Sequence, residues 1–224
     1  MYGKVKLTKK QIKEDKFTTF MLTTKNQVTE NWQYFAIGLV VLILAIAAVV
    51  FYIDMQSKQE IEASTLYSQG VTEFRQQSYQ NALLTLQLVL DQHDGTEPAQ
   101  QATFLLGDVN LRTKNYPEAI RYFEMYIKKY SNDKLKVAAS HAGIATAYEN
   151  QGQFQQAADE FVKASSVNED GPLVGDYYYS AMRNFLEIGD ESSAKIQYDK
   201  IMEKFEGTNL IQRAEILFAE KSKH

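Results

Sequence analysis

The residues of this 224-residue chain whose types suit covalent chemistry are few and widely separated. Ser192-Ser-Ala-Lys195 fits S-x-x-K, the spacing by which some acyl-enzymes set a lysine beside a serine nucleophile. The companion motifs of such sites are missing, and Ser192 falls in the first turn of an expected helix, where serine is a common starter. His93, His141 and His224 are too scattered to share a metal ion, and cysteine is absent, which removes thiolate sites and disulfides. No phosphate loop, G-x-S-x-G elbow, H-E-x-x-H pair or dinucleotide fingerprint occurs. The expectation is a chain that is not an enzyme and needs neither cofactor nor metal.

Charge is unevenly spread over the net −4. Residues 1–53 hold seven lysines (Lys4, Lys6, Lys9, Lys10, Lys13, Lys16 and Lys25) against Glu14, Asp15 and Glu30. The remaining 17 basic and 25 acidic side chains leave the rest of the chain at −8. That balance argues against nucleic acid and anionic lipid surfaces as partners of the larger part. Only three prolines, with abundant Ala, Leu, Gln, Glu and Lys, favour helices throughout.

Residues 35–53, FAIGLVVLILAIAAVVFYI, contain no charged or strongly polar side chain. As a helix they span about 28 Å, close to the thickness of a bilayer's hydrocarbon layer. Trp32 and Tyr34 at one end and Phe51 and Tyr52 at the other suit the two membrane interfaces. A cleaved signal would have a shorter apolar stretch and a shorter leader than the 34 residues found here. The lysine excess before the span predicts residues 1–34 in the cytoplasm and Asp54 onward on the far side. Within 1–34, Phe17, Phe20, Met21, Thr24 and Val28 fall on one helical face. Such a segment suits either the inner leaflet or a partner's membrane helices, and a tail that merely sets topology is the third reading.

Beyond Ser57 the chain repeats. Tyr79, Ala82 and Leu86 set a skeleton that returns as Tyr116, Ala119 and Phe123, as Phe154, Ala157 and Phe161, and as Glu191, Ala194 and Tyr198. The alanines stand 37, 38 and 37 residues apart, and twelve residues before them lie Gly70, Gly107, Ala145 and Met182. A small residue on each of two antiparallel helices lets them approach closely, and bulky residues fill the space to the next pair. The expected order is a basic segment at 1–34, a membrane helix at 35–53, a connector at 54–61, four helix pairs at 62–206, and a capping helix with tail at 207–224. Gly95 and Gly207 are placed to end helices, Asn115-Tyr-Pro-Glu118 reads as a capping box, and Gly171-Pro172 should open the first helix of pair four. Gln69 and Glu73 stand where apolar residues are expected, so the first pair is the least regular.

This skeleton resembles the tetratricopeptide repeat (TPR) from about Glu62 to Phe205, with inter-repeat loops three or four residues longer than usual. The resemblance implies an all-α solenoid that binds proteins through a groove lined by the first helix of each pair. Carried over by register, the lining is Tyr67, Val71, Phe74 and Arg75; Gln101, Phe104, Asp108, Leu111 and Arg112; Thr146, Glu149 and Asn150; and Asp176, Tyr179, Arg183 and Leu186. The Lys/Asn clamp with which some of these domains hold a chain terminus is missing, since Tyr67, Val71, Phe104 and Asp108 occupy its positions. An aromatic groove of mixed charge suits an extended or helical polypeptide.

The order of parts, with the Val28-Thr-Glu-Asn-Trp32 approach to the membrane helix, resembles the bacterial YfgM-like family. That resemblance implies an accessory subunit of the SecYEG translocation channel in the bacterial inner membrane, its repeat domain periplasmic. The repeats would then dock a membrane-anchored periplasmic chaperone or prolyl isomerase. The alternative is a scaffold of another envelope complex, for cell-wall synthesis, division or outer-membrane assembly.

Overall fold

The structure is a computed structural model that describes Lys16, residues 18–21 and residues 32–221. Every regular element among the described residues is helical. The chain divides into two compact units, Met1–Ser57 and Lys58–His224.

The long helix α1, Trp32–Arg75, contains the whole apolar run and continues without a break through 54–61 into the first helix of the repeats. Its apolar stretch is long enough to cross a membrane. Leu39, Leu42, Val50 and Phe51 are all more than half exposed, a surface that water disfavours and hydrocarbon accepts. Of the expected amphipathic face, Phe20 and Met21 are helical and exposed, while Phe17, Thr24 and Val28 lie outside the described residues.

In the second unit, four pairs follow one another. The end of α1 pairs with α2 (Tyr79–Gln92), α3 (Glu97–Arg112) with α4 (Tyr116–Lys129), α5 (Lys134–Asn150) with α6 (Phe154–Val167), and α7 (Val174–Glu187) with α8 (Glu191–Lys204). A last helix, α9 (Asn209–Lys221), closes the array. The four skeleton alanines, Ala82, Ala119, Ala157 and Ala194, are wholly buried. A Cβ on Gly70 would lie 2.7 Å from Leu86, and one on Gly107 2.6 Å from Phe123, so these pairs close only because the first helix lacks a side chain there. Phe123 is held on its other edge as well, where a Cβ on Gly143 of the next pair would stand 2.4 Å away. Sequence reasoning passed over Gly143 because it lies two positions before the small residue of the repeat skeleton. In pair four Met182 fills the small-residue position and is itself buried, and close approach moves to Gly175, against Phe205 and Leu210.

Each pair turns by the same device. Residues 77, 114, 152 and 189 all have left-handed backbone, with φ of 60°, 62°, 73° and 75°. The next amide reaches back six residues in every case: Ser78 to Glu73, Asn115 to Asn110, Gln153 to Tyr148 and Asp190 to Phe185, at 2.8–2.9 Å. This is the Schellman arrangement, which satisfies the last carbonyls of the first helix. Glycine fills the turn only in pairs three and four; Gln77 and Lys114 adopt the same φ at a steric cost. Gly95 and Gly207 also have positive φ, as expected of helix terminators.

Two local expectations are corrected. Asn115 does not cap α4; its amide donates to Asn110 Oδ1 at 3.2 Å, and Glu118 binds Arg121 instead of reaching back. The side chains that do cap are Thr96, Asp133 and Asp190, accepting from the amides of Ala99, Lys136 and Ser193. Gly171-Pro172 stands in the turn just before α7, which begins at Val174.

Candidate functional site

Where helices of different pairs approach each other, first helices do so: α3 nears α5, and α7 nears α9. The first-helix side is therefore the tighter, inner wall of the repeat unit, and the second helices form its outer side. Of the residues assigned to the wall by register, Tyr67, Val71, Phe74, Gln101, Phe104, Asp108, Leu111, Thr146, Glu149, Tyr179 and Arg183 are partly buried. Arg75, Arg112, Asn150 and Asp176 are exposed. Leu186 differs: at 6% exposure it belongs to the core shared with Met182, Phe185 and Ile201, so it offers no surface. Its position falls where α7 turns inward to meet the α9 cap.

Several wall residues are tied across pairs. The Arg112 guanidinium lies over the Phe74 ring, 5.2 Å from its centroid, joining the first two first helices by a cation–π contact. Lys136 donates to Gln101 between α3 and α5. Glu149 Oε1 accepts from Arg183 Nη2 at 2.6 Å and Nε at 3.1 Å, and from Asn184 Nδ2 at 3.0 Å, joining α5 to α7. Arg213 of the cap covers Tyr179 at 4.5 Å. Lys136, Asn184 and Arg213 went unread in the sequence, because nothing in their spacing reveals a partner 34 or 35 residues away.

Phe104 sits edge-on to Phe123 (5.7 Å between centroids) and to Tyr126 (5.5 Å). It thus supports pair two as well as facing the wall, and its truncation lowers stability as well as removing groove surface. Asp108 is unlike its neighbours. It makes no hydrogen bond or ion pair with the protein, and burial pushes its carboxyl up to about 6, with Arg112 pulling the other way. Burial also raises the Tyr67 phenol, against the pull of Arg75.

Residues considered for chemistry do not converge. Lys195 pairs with Asp199 and lies near the Tyr198 ring, while Ser192 is exposed in the first turn of α8. His141 Nδ1 meets Glu160 Oε2 at 2.6 Å, bracing α5 against α6. His93 is buried between α2 and α3, and His224 lies outside the described residues. Among the described residues no cluster of three or more His, Asp or Glu is placed to hold a metal ion.

The fold and this wall define a helical-repeat scaffold. A family profile described as a tetratricopeptide repeat-like domain matches residues 25–170, and the chain belongs to that family. Its domains bind proteins or peptides, and the fold is generally non-enzymatic. Solved structures agree on the fold. MamA from Desulfovibrio magneticus RS-1 is 20% identical, with 68% of this chain and 76% of that one covered and a TM-score of 0.53. A tetratricopeptide repeat protein from Parabacteroides merdae ATCC 43184 is 12% identical over 72% and 60%, with a TM-score of 0.60. YrrB, described as a TPR protein with an unusual peptide-binding site, is 20% identical over 69% and 74%, with a TM-score of 0.53. Comparison with curated proteins finds no match.

Proposed function

We propose that the chain is a membrane-anchored interaction subunit: α1 holds it in the bilayer, and the inner wall of its repeats binds a segment of another protein. The observation that carries the reading is the family match itself, which begins at residue 25 and so takes in the apolar run together with the repeats. Anchor and repeats are then one inherited unit, and a tethered binding module is what that unit supplies. In the finer reading, which rests on the YfgM-like order of parts, residues 1–34 are cytoplasmic and the repeats periplasmic. The anchor sits beside the SecYEG channel, and the wall docks a membrane-anchored chaperone or prolyl isomerase near the exit. A scaffold in another envelope complex is the competing assignment.

The deciding experiment is recovery of partners after mild detergent extraction. Channel subunits with a chaperone support the finer reading; wall-synthesis or division proteins support the competitor. Asn150→Ala with Asp176→Ala, both exposed and outside the core, should reduce recovery if the wall is used. Undiminished recovery would shift the site to the membrane helix.

A further inference from the structure

Resting on that reading of the wall, we infer that Asp108 is the receptor for a lysine or arginine side chain of an extended polypeptide lying along α3.

A carboxylate shielded from water is costly unless a cation or several donors meet it. Asp108 has neither. The nearest cation in sequence, Arg112 one turn on, makes no ion pair with it and lies over Phe74 instead. The next cation at the same register on the wall, Arg183, is bound by Glu149. Asp176, the other unpaired acid of the wall, is exposed and satisfied by water. Asp108 is therefore the wall residue whose charge is partly buried and unmet, at the second of four pairs. Its carboxyl is correspondingly hard to ionise, at about 6, which a ligand cation would reverse.

The surroundings select the class of ligand. The chain beyond residue 53 carries 25 acidic against 17 basic side chains, so its field favours a basic partner. Phe104 one turn before Asp108 and Leu111 one turn after it are both partly exposed, an apolar flank for the stem of a long side chain. A lysine or arginine buries its methylenes against such residues while its head reaches the carboxylate.

The test is selection of random 12-residue peptides on the full chain held in nanodiscs, with empty nanodiscs subtracted. The same selection is run on Asp108→Asn and, as a control on the same wall, on Asp176→Asn. The expected result is a lysine or arginine at one fixed position among peptides won on the wild type and on Asp176→Asn, absent from those won on Asp108→Asn. Replacing that lysine by norleucine in a selected peptide should weaken binding at least tenfold on the wild type and less than twofold on Asp108→Asn. A basic preference that survives in Asp108→Asn, or peptides with no basic preference at all, would overturn the assignment of Asp108 while leaving the wall as a binding surface. Enrichment of nothing above empty nanodiscs would overturn the wall reading and this inference with it.

Discussion

An unmet carboxylate in a binding wall should weaken the unliganded fold, and Asp108→Asn isolates that weakness. The amide keeps the shape of the side chain and removes only its charge. In the folded chain the Asp108 carboxyl loses its proton near 6, against 3.8 when unfolded. Below about pH 4 both states are protonated and no penalty exists. As pH rises through the window from 3.8 to 6, the unfolded chain ionises first, so the native state is progressively disfavoured, and the loss is complete above 6. A gap of about two units at ~1.4 kcal/mol each sets a ceiling of about 3 kcal/mol. Water at the exposed part of the side chain trims this to about 1–3 kcal/mol. For a unit of this size that is a rise of about 2–8 °C in Tm. The assay is thermal melting by circular dichroism at 222 nm in dodecyl maltoside, wild type against variant, at pH 4 and at pH 7.5. All other titrating groups cancel in the difference. The variant should melt level with the wild type at pH 4 and above it at pH 7.5. A gap of the same size at both pH values, or a variant less stable at pH 7.5, would mean that the carboxylate is compensated and the reasoning fails.

Three further outcomes follow from the fold and the proposed topology. Ala119→Leu overfills a wholly buried position where α4 meets α3 and should cost about 1–3 kcal/mol, read as a lower Tm; an unchanged melt would displace the repeat register. Lys114→Gly relieves a φ of 62° at a turn where pairs three and four already carry glycine, and should stabilise by about 0.5–1 kcal/mol in the same assay. Protease added to spheroplasts should digest the chain beyond residue 54 and spare a tag at Met1; the opposite pattern would reverse the proposed orientation.

Much of the repeat architecture is legible in the sequence because it depends on residue size at fixed spacing. Alanine at 82, 119, 157 and 194, with glycine at 70 and 107, declares where helices touch whatever surrounds them. The turns are half legible: Gly152 and Gly189 mark the left-handed position, and counting back 37 or 38 residues leads to Lys114 and Gln77, whose types give no sign of it. Gly143 is visible only as the far side of the slot that holds Phe123. The wall is less legible still. Register places its residues on one side, but pairing is settled by competition among partners 34–37 residues apart. Arg112 lies over Phe74 rather than Asp108, Arg183 joins Glu149, and Leu186 sinks into the core where the capping helix arrives. Sequence spacing alone does not rank those alternatives.

The turn inside every pair is three residues long, whereas the links between pairs run from four residues to six. Variation in chain length is thus excluded from the hairpins and gathered at the junctions. A pair behaves as a cassette with a fixed internal hinge, so the array can be lengthened, trimmed or re-spaced at its junctions without disturbing how any one cassette closes. A graft of one pair, from Thr96 to Tyr130, would carry its own turn, its own cap and its own slice of wall, including Asp108.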